Sequence, residues 1–314
     1  MIGIQQLIGK VAQQVPLFWL QRIESVVYNR NRPGKINLVA IVGPPRIGST
    51  LAYLILAKAF DIYYISNVEH VFYQLPYLAY KIRERIGANN TGAYQSDLGF
   101  VKGLRSPAEA NMFWEYWFDY SINQKNPKTM NRKLDYILNS LKYNSLRHSN
   151  TLLSAWTAHA FFIMQDQHFF DNCLFVNLKR EIIDVAVSMY CARIRRNGNP
   201  NKWMSLKPAK AYLYENHNPY LQIAAQIRYT WEAIETAKMQ GANIIDYEYK
   251  DICSSPQTFI NMIFREARSR NIEMRFNQNG QIPRQFKYHS YKDDEKNMQL
   301  IKNFEEAFEQ LNNG

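Results

Sequence analysis

Residues 36 to 56 read Ile36-Asn-Leu-Val-Ala-Ile-Val-Gly-Pro-Pro-Arg-Ile-Gly-Ser-Thr-Leu-Ala-Tyr-Leu-Ile-Leu56. The part up to Val42 is almost entirely apolar and of strand length, and the part from Ser49 onward is typical of a buried helix. Between them, Gly43 and Gly48 frame a short loop. This order directs the first N–H groups of the helix, and its dipole, toward one point, which predicts an anion site.

The loop is close to a nucleotide-binding P-loop but differs at one position. Such loops read G-x-x-x-x-G-K-[ST], in which the lysine reaches the terminal phosphates and the hydroxyl holds magnesium. Here Gly43 and Gly48 keep the spacing, whereas Ser49 replaces the lysine and Arg46 supplies a cation upstream. The pattern indicates a loop that holds an anion without a metal-bound triphosphate. An ordinary strand-to-helix turn with a Ser/Thr cap is the alternative.

The bulk composition is compatible with one large α/β domain. The chain has 314 residues and a net charge of +11, which favours anionic partners: nucleic acid, an anionic membrane surface, or molecules bearing phosphate or sulfate. Its three cysteines lie far apart and have no metal-binding spacing, which predicts reduced thiols and a cytoplasmic location. We expect a single domain over residues 1–314, with a helical extension at 1–35 and a tail and helix at 279–314.

No apolar run reaches the ~18 residues of a membrane-spanning helix, so we expect no integral membrane segment. The N-terminus also lacks the basic and long apolar regions of a secretory leader. The segment up to Tyr28 is interpreted as an amphipathic helix that packs on the domain, with peripheral membrane contact as the alternative.

Apolar runs of strand length alternate with helical stretches. Continuous rather than alternating apolar runs are typical of strands covered on both faces, and they predict a mostly parallel central sheet with helices on both faces in three layers. The predicted strands are Ile36 to Val42, Ile62 to Ile65, Thr151 to Ala155, Leu174 to Leu178 and Ile244 to Tyr247. The predicted helices include Ser49 to Phe60, Glu181 to Arg196, Pro219 to Gln240 and Met298 to Leu311. The stretches 87–107 and 197–208 are predicted surface loops and lid candidates.

A second anion site is indicated after the fourth strand. Arg180 follows its carboxyl end, and Ser188 lies eight residues further along a helix. Ligands of open α/β sheets bind beyond the carboxyl ends of the strands, so Arg180 is expected at the same edge as the first loop. The alternative is a structural arginine paired with Glu181 or Asp184.

Together, the two sites resemble those of sulfotransferases that use 3'-phosphoadenosine 5'-phosphosulfate (PAPS), particularly bacterial members of the carbohydrate type. Pro45-Arg-Ile-Gly-Ser-Thr50 is similar to their 5'-phosphosulfate loop, except that Ile47 replaces a serine. Arg180, Asp184 and Ser188 match their 3'-phosphate element, whose acid-proline pair is altered here. Shorter similarities cover Ser106 to Trp114, Cys191 to Pro208 and Ile245 to Pro256.

The resemblance implies a P-loop-like fold and sulfuryl transfer to the hydroxyl of a small-molecule or glycan acceptor, with a carbohydrate or glycolipid expected. PAPS would be the co-substrate, and neither a metal nor a nucleic-acid partner is implied. The cofactor-binding residues would be Pro45, Arg46, Ile47, Gly48, Ser49, Thr50, Arg180 and Ser188. A P-loop kinase that uses Arg46 in place of lysine, and a non-catalytic nucleotide- or polyanion-binding protein, remain alternatives.

Catalysis would need a cation and a base. Arg46 is the candidate for stabilising the developing charge. Glu69 is the first candidate for the general base, His70 the second and Glu109 a rival, each of which has a structural alternative. On an extended segment, the adjacent Glu69 and His70 would point to opposite sides. Arg193, Arg195 and Arg196 are further candidate anion ligands, whereas His148, His159 and His168 are interpreted as surface or capped histidines.

Overall fold

The computed structural model describes residues 18–29, 36–86, 94, 96–118, 127–205, 207–292 and 295–313. Five parallel strands form the central sheet, in the spatial order β2-β3-β1-β4-β5. They are β1 (Asn37–Val42), β2 (Tyr63–Tyr64), β3 (Thr151–Ser154), β4 (Cys173–Lys179) and β5 (Ile244–Glu248). Each strand coincides with a predicted apolar run, and no end differs by more than about one residue. The predicted α/β class with a parallel sheet is therefore confirmed.

Helices surround this sheet. They are α1 (Phe18–Asn29), α2 (Ser49–Ala59), α3 (Asn67–Val71), α4 (Pro76–Arg85), α5 (Asn111–Phe118), α6 (Pro127–Ser145), α7 (His159–Phe169), α8 (Ile182–Asn197), α9 (Pro219–Met239), α10 (Tyr249–Ser254), α11 (Pro256–Ser269) and α12 (Met298–Asn313). Short 3-10 helices lie at Ala209–Tyr214 and Glu295–Asn297. The helices α2, α8, α9 and α12 confirm the predicted ones. Within the described ranges, no helix is both long and apolar enough to cross a membrane.

The core has two halves, one on each face of the sheet. All six residues of β1 are buried, and alternate side chains face opposite sides. Val39 and Ile41 pack with side chains of α2, α8 and α11, while Leu38 and Ala40 pack with those of α5, α6 and α7. A strand covered on both faces needs apolar residues at every position, which explains why the predicted strands are continuous apolar runs.

Strand register brings the candidate residues to one edge of the sheet. Ala40 of β1 is opposite Ser154 of β3, and Val42 is opposite Asn177 of β4. The segments that follow these three strands therefore leave the sheet side by side. They are the loop of residues 43–48, the turn of residues 155–158 and the turn that contains Arg180.

Candidate active site

A cavity of about 630 Å³, here called the main cavity, opens at this edge of the sheet. Six of the eight predicted cofactor-binding residues line it: Pro45, Arg46, Gly48, Ser49, Thr50 and Arg180. Ile47 does not, because its side chain is fully buried in the core and its N–H donates to the carbonyl of Pro44 at 3.3 Å. Ser49 and Thr50 begin α2, whose first N–H groups have no intrahelical acceptor. The loop therefore presents donors to the cavity.

Gly48 is required by the geometry of this loop. Its φ is 106°, in the region that favours glycine, and an added Cβ would lie 2.2 Å from the ring of Tyr249. We expect Gly48→Ala to lower the free energy of unfolding by about 3 kcal/mol, from backbone strain and from the collision with the ring. Urea denaturation, fitted with the same m-value for the variant and the wild type, would measure this loss of stability.

Gly198 provides the matched control. It also has a positive φ, 68°, but an added Cβ would meet no atom within 4 Å. Gly198→Ala should therefore cost only about 1 kcal/mol, the backbone part alone. If both variants lose the same stability, the contact with Tyr249 is not what makes Gly48 necessary.

Arg46 and Ser188 are brought together although 142 positions separate them in the sequence. The Nε of Arg46 donates to the Oγ of Ser188 at 3.2 Å. Ser188 itself is only 4% exposed, and the wall of the main cavity is formed by Arg46 and not by Ser188. Burial lowers the pKa of the Arg46 guanidinium, but an arginine stays charged in a protein. Arg46 is thus a positive charge held in place at the cavity wall.

Arg180 contributes a second cation to the same wall. Its Nη1 donates to the backbone carbonyl of Arg46 at 3.2 Å, and its Nη2 donates to the carbonyl of His289 at 2.7 Å. The guanidinium also lies 5.1 Å from the ring centre of Tyr249 and 5.8 Å from that of Tyr288. The two predicted anion motifs therefore meet at one site.

Residues 286–292, here called the tail segment, lie against Arg180 and the main cavity. No ligand contact was predicted from the sequence for this segment. Asp184 anchors it, accepting hydrogen bonds from the Tyr291 N–H at 2.6 Å and from the Tyr288 hydroxyl at 3.0 Å. Phe286 and Lys287 of the same segment line the main cavity. Asp184 belongs to the resemblance pattern, but its partners lie more than 100 positions away, so nothing local in the tail indicated the contact.

Glu109 also lines the main cavity. Burial raises the pKa of its carboxyl to about 7, although the charges of Arg46 and Arg196 oppose the shift. A Cβ on Gly99 would lie 2.8 Å from the Glu109 Oε1, so glycine at position 99 leaves room for the carboxyl group. A carboxyl that exchanges its proton near neutral pH inside a cavity lined by cations has the properties of a general base.

Glu69, the first candidate for the base, lies elsewhere. It is 1% exposed and is absent from the wall of the main cavity. Its carboxylate is engaged by the Tyr63 hydroxyl at 2.5 Å, by the Ser66 hydroxyl at 2.6 Å and by Arg83 at 3.2 Å. Such a buried, paired carboxylate holds α3 and α4 together. We therefore correct the position expected for Glu69, because its carboxylate does not face the main cavity.

The sequence contained a signal for this correction. Ser66 and Glu69 form a capping box at the start of α3, with the serine as N-cap and the glutamate three residues later. The segment is thus a short helix and not the extended strand end that was expected. His70 lies on that helix outside the wall of the main cavity, and burial lowers its pKa.

A second cavity of about 390 Å³, here called the side cavity, adjoins the main one. The two share Asn111, Thr157, Arg196, Met204 and Ser205. The other residues of the side cavity are Glu115, Trp156, Ala158, Asn197 and Trp203. Much of this wall comes from the predicted loop 197–208, so the loop lies at the site.

The three arginines near the end of α8 have different environments. Arg193 is fully buried and donates to the side-chain oxygens of Gln222 at 2.9 Å and Gln226 at 3.2 Å. Arg195 is exposed and pairs with Asp97 at 2.8 Å. Only Arg196 among the three lines the two cavities. Arg193 therefore has a structural role, and Arg196 is the one placed to meet a ligand.

Titratable side chains also cluster in the core beside β3. His159, which we interpreted as a surface or capped histidine, is fully buried between the Ser154 Oγ at 2.8 Å and the Asp166 carboxylate at 2.7 Å. Ser154 also accepts from the N–H of Trp156 at 3.3 Å, so the cluster fixes the turn that lines the side cavity. Within the described ranges, no group of three or more His, Cys, Asp or Glu residues is arranged to hold a metal ion.

Neither a protein-family model nor a curated protein matches the sequence. Solved structures do match. Sulfotransferase STF1 from Mycobacterium tuberculosis H37Rv superposes with a TM-score of 0.46 at 14% identity, over 84% of this chain and 73% of that chain. Sulfotransferase STF9 from Mycobacterium avium superposes with a TM-score of 0.50 at 11% identity, over 78% of this chain and 68% of that chain. The chain therefore has the P-loop-like α/β fold of the sulfotransferases.

Proposed function

We propose that the protein is a sulfotransferase that moves a sulfuryl group from PAPS to an acceptor hydroxyl. The main support for this proposal is that Arg46 and Arg180, which belong to separate sequence motifs, line the same cavity. The Nη1 of Arg180 also donates a hydrogen bond to the backbone carbonyl of Arg46 at 3.2 Å. A ligand that carries phosphate groups at both ends would use both cations.

The residues present fit such a ligand. The Nε of Arg180 is buried and has no hydrogen-bond partner among the described residues, so it is a donor that a phosphate oxygen would satisfy. The cavity of about 630 Å³ is within the usual size range of cofactor sites. The N-cap of α2 is Gly48, so no capping side chain occupies the first N–H groups of this helix.

The residues of the main cavity would hold the two ends of this ligand separately. The N–H groups at the start of α2, the hydroxyls of Ser49 and Thr50, and Arg46 would hold the 5'-phosphosulfate end. Arg180 would hold the 3'-phosphate, and Ser188 would position Arg46. When bound, PAPS supplies the sulfuryl group and a good leaving group. Arg46 would stabilise the negative charge that develops there.

Glu109 is the proposed base that removes the proton of the acceptor hydroxyl. Its place on the wall of the main cavity and its pKa of about 7 support this role. The proton would pass to the Glu109 carboxylate, whose neutral form is already favoured by burial. Arg46 and Arg196 would keep part of the population ionised before the transfer.

The side cavity is the proposed acceptor site, because it opens into the main cavity through shared residues. Its polar side chains, Asn111, Glu115 and Asn197, and the indole of Trp203 suit a polyhydroxylated small molecule or glycan. This chemistry supports a carbohydrate or a glycolipid headgroup as acceptor. A cytoplasmic location and a single domain over residues 1–314 stay predictions.

Calorimetry separates this proposal from its alternatives. The wild-type protein would be titrated with 3'-phosphoadenosine 5'-phosphate in the presence of a chelator, and then with ATP and magnesium. We expect micromolar binding of the first ligand. Binding of ATP with magnesium alone would favour a P-loop kinase, and binding of both ligands without sulfuryl transfer to any hydroxylated acceptor would favour a non-catalytic nucleotide-binding protein.

Arg180→Ala should weaken the binding of 3'-phosphoadenosine 5'-phosphate by about 2 kcal/mol, or roughly 30-fold, through loss of a charge-assisted hydrogen bond. Arg195→Ala is the matched control, because Arg195 is an exposed arginine of the same region that pairs with Asp97. The affinity of Arg195→Ala for 3'-phosphoadenosine 5'-phosphate should equal that of the wild type. Equal affinities for Arg180→Ala and the wild type would remove Arg180 from the site.

A further inference from the structure

The helix α1 turns the polar side chains of Gln21 and Glu24 toward the protein and several large apolar side chains toward the solvent. Gln21 donates to the Gln74 carbonyl at 3.0 Å, and Glu24, which is 5% exposed, accepts from the Leu78 N–H at 2.8 Å. Glu24 also accepts from the Tyr136 hydroxyl. This orientation is the reverse of a normal surface helix, whose apolar stripe faces the core.

The outward stripe consists of large side chains. Trp19, Ile23 and Val26 are 71%, 65% and 55% exposed, and Leu20 at its border is 42% exposed. At about 100° per residue, the first three lie on one side of the helix and Gln21 and Glu24 lie on the other. Scattered apolar residues are normal on a surface, but a contiguous stripe on one helix marks an interaction site.

Charge indicates which partner the stripe suits. Within residues 1–35 the only acid is Glu24, which faces the protein, whereas five residues are basic: Lys10, Arg22, Arg30, Arg32 and Lys35. The whole chain carries a net charge of +11. An apolar face that includes tryptophan, together with basic residues and no exposed acid, is typical of helices that lie in the interface of an anionic membrane.

We propose that α1 docks the protein on membrane surfaces that contain anionic phospholipid. Trp19, Ile23 and Val26 enter the boundary between headgroups and acyl chains, and the exposed Arg22 of the same helix remains among the headgroups. The helix does not span the bilayer, so the docking is peripheral and reversible. This inference is independent of the proposed reaction, because none of the residues described as lining the main or side cavity belongs to α1.

Flotation with lipid vesicles tests the proposal on the full chain. Vesicles of phosphatidylcholine alone would be compared with vesicles that contain phosphatidylglycerol. We expect the wild type to bind the anionic vesicles at least about tenfold more tightly than the neutral ones and to be released by high salt. Failure to bind the anionic vesicles, or equal binding to both kinds, would overturn the proposal.

The double variant Ile23→Gln, Val26→Gln locates the binding surface. It should bind the anionic vesicles at least about tenfold more weakly than the wild type, because the two apolar side chains that would be buried in the bilayer are lost. The control is Leu213→Gln with Met239→Gln, at residues that are 72% and 82% exposed outside α1; its vesicle binding should equal that of the wild type. Unchanged binding of the α1 variant would overturn the proposal.

Two further measurements keep the result unambiguous. Circular dichroism and thermal unfolding should be the same for the two double variants, which shows that a loss of vesicle binding is not a loss of fold. Light scattering should give the same mass for the wild type and the α1 variant. A wild-type dimer that the α1 variant converts to a monomer, without any vesicle binding, would assign the stripe to a second copy of the chain and overturn the membrane proposal. Nucleotide calorimetry on the same variants tests the proposed reaction separately.

Discussion

Replacing Arg46 with alanine is expected to lower turnover by about 10²- to 10³-fold, the usual cost of removing a preorganised charge that stabilises a transition state. The guanidinium is held in place by Ser188 at 3.2 Å and is half-buried at the cavity wall. Its charge is therefore screened less by water than that of an exposed arginine, at the place where the reaction builds negative charge. Single-turnover formation of sulfated acceptor would measure the loss, and calorimetry would measure the affinity for 3'-phosphoadenosine 5'-phosphate.

Ser188→Ala is the companion variant for Arg46. It removes the hydrogen bond that positions the Arg46 Nε but keeps the charge, so we expect only about a three- to tenfold loss of turnover. Arg195→Ala, which removes an arginine paired with Asp97, should be without effect. Arg46→Ala with turnover within about threefold of the wild type would exclude Arg46 from the chemistry, whatever its effect on binding.

Glu109→Gln is expected to lower turnover by about 10²- to 10⁴-fold, since a glutamine cannot accept the proton of the acceptor hydroxyl. The pH dependence gives a sharper test. Burial raises the pKa of Glu109 to about 7, so the carboxyl is protonated and inactive as a base below that pH. Wild-type turnover should therefore rise about tenfold per pH unit up to about 7 and then level off. The residual activity of Glu109→Gln should lack this rise.

Glu69→Gln distinguishes a base from a structural carboxylate. The change leaves the buried Arg83 guanidinium without its counter-charge, so we expect a loss of about 3 kcal/mol or more in the free energy of unfolding. The pH profile of the remaining activity should keep the wild-type rise. If that rise disappears in Glu69→Gln and persists in Glu109→Gln, the assignment of the base to Glu109 is wrong.

The sheet was predictable because strand identity depends on local composition. The strands β1, β3 and β4 are short, mostly apolar runs, and covering the sheet on both faces requires such runs. The edge strand β5 is less apolar, since it contains Asp246 and Glu248 and only Ile244 is buried. The convergence of Arg46 and Arg180 was also predictable in outline. Parallel strands end at one edge, so residues that directly follow β1 and β4 are neighbours whatever the rest of the chain does.

The environments of individual side chains were less predictable. Glu69 and Glu109 are both glutamates near candidate motifs, and only packing separates them. Arg83 of α4 binds Glu69 in the core, whereas Glu109 is left at the main cavity with its pKa raised. The capping box at Ser66 and Glu69 was a local signal for part of this difference. No local signal indicated that Glu109 would lie on the same cavity wall as Arg46.

The sequence by itself determined the strand-loop-helix unit at residues 36 to 56, the parallel sheet and the edge at which a ligand site would lie. These features follow from periodicity and from the chemistry of short loops, which act over a few residues. Only the tertiary structure decided that Ser188 would hold Arg46, that Asp184 would anchor the tail segment, and that α1 would turn its apolar stripe outward. Each of these depends on contacts between residues far apart in the sequence, and such contacts are fixed only when the helices pack around the sheet.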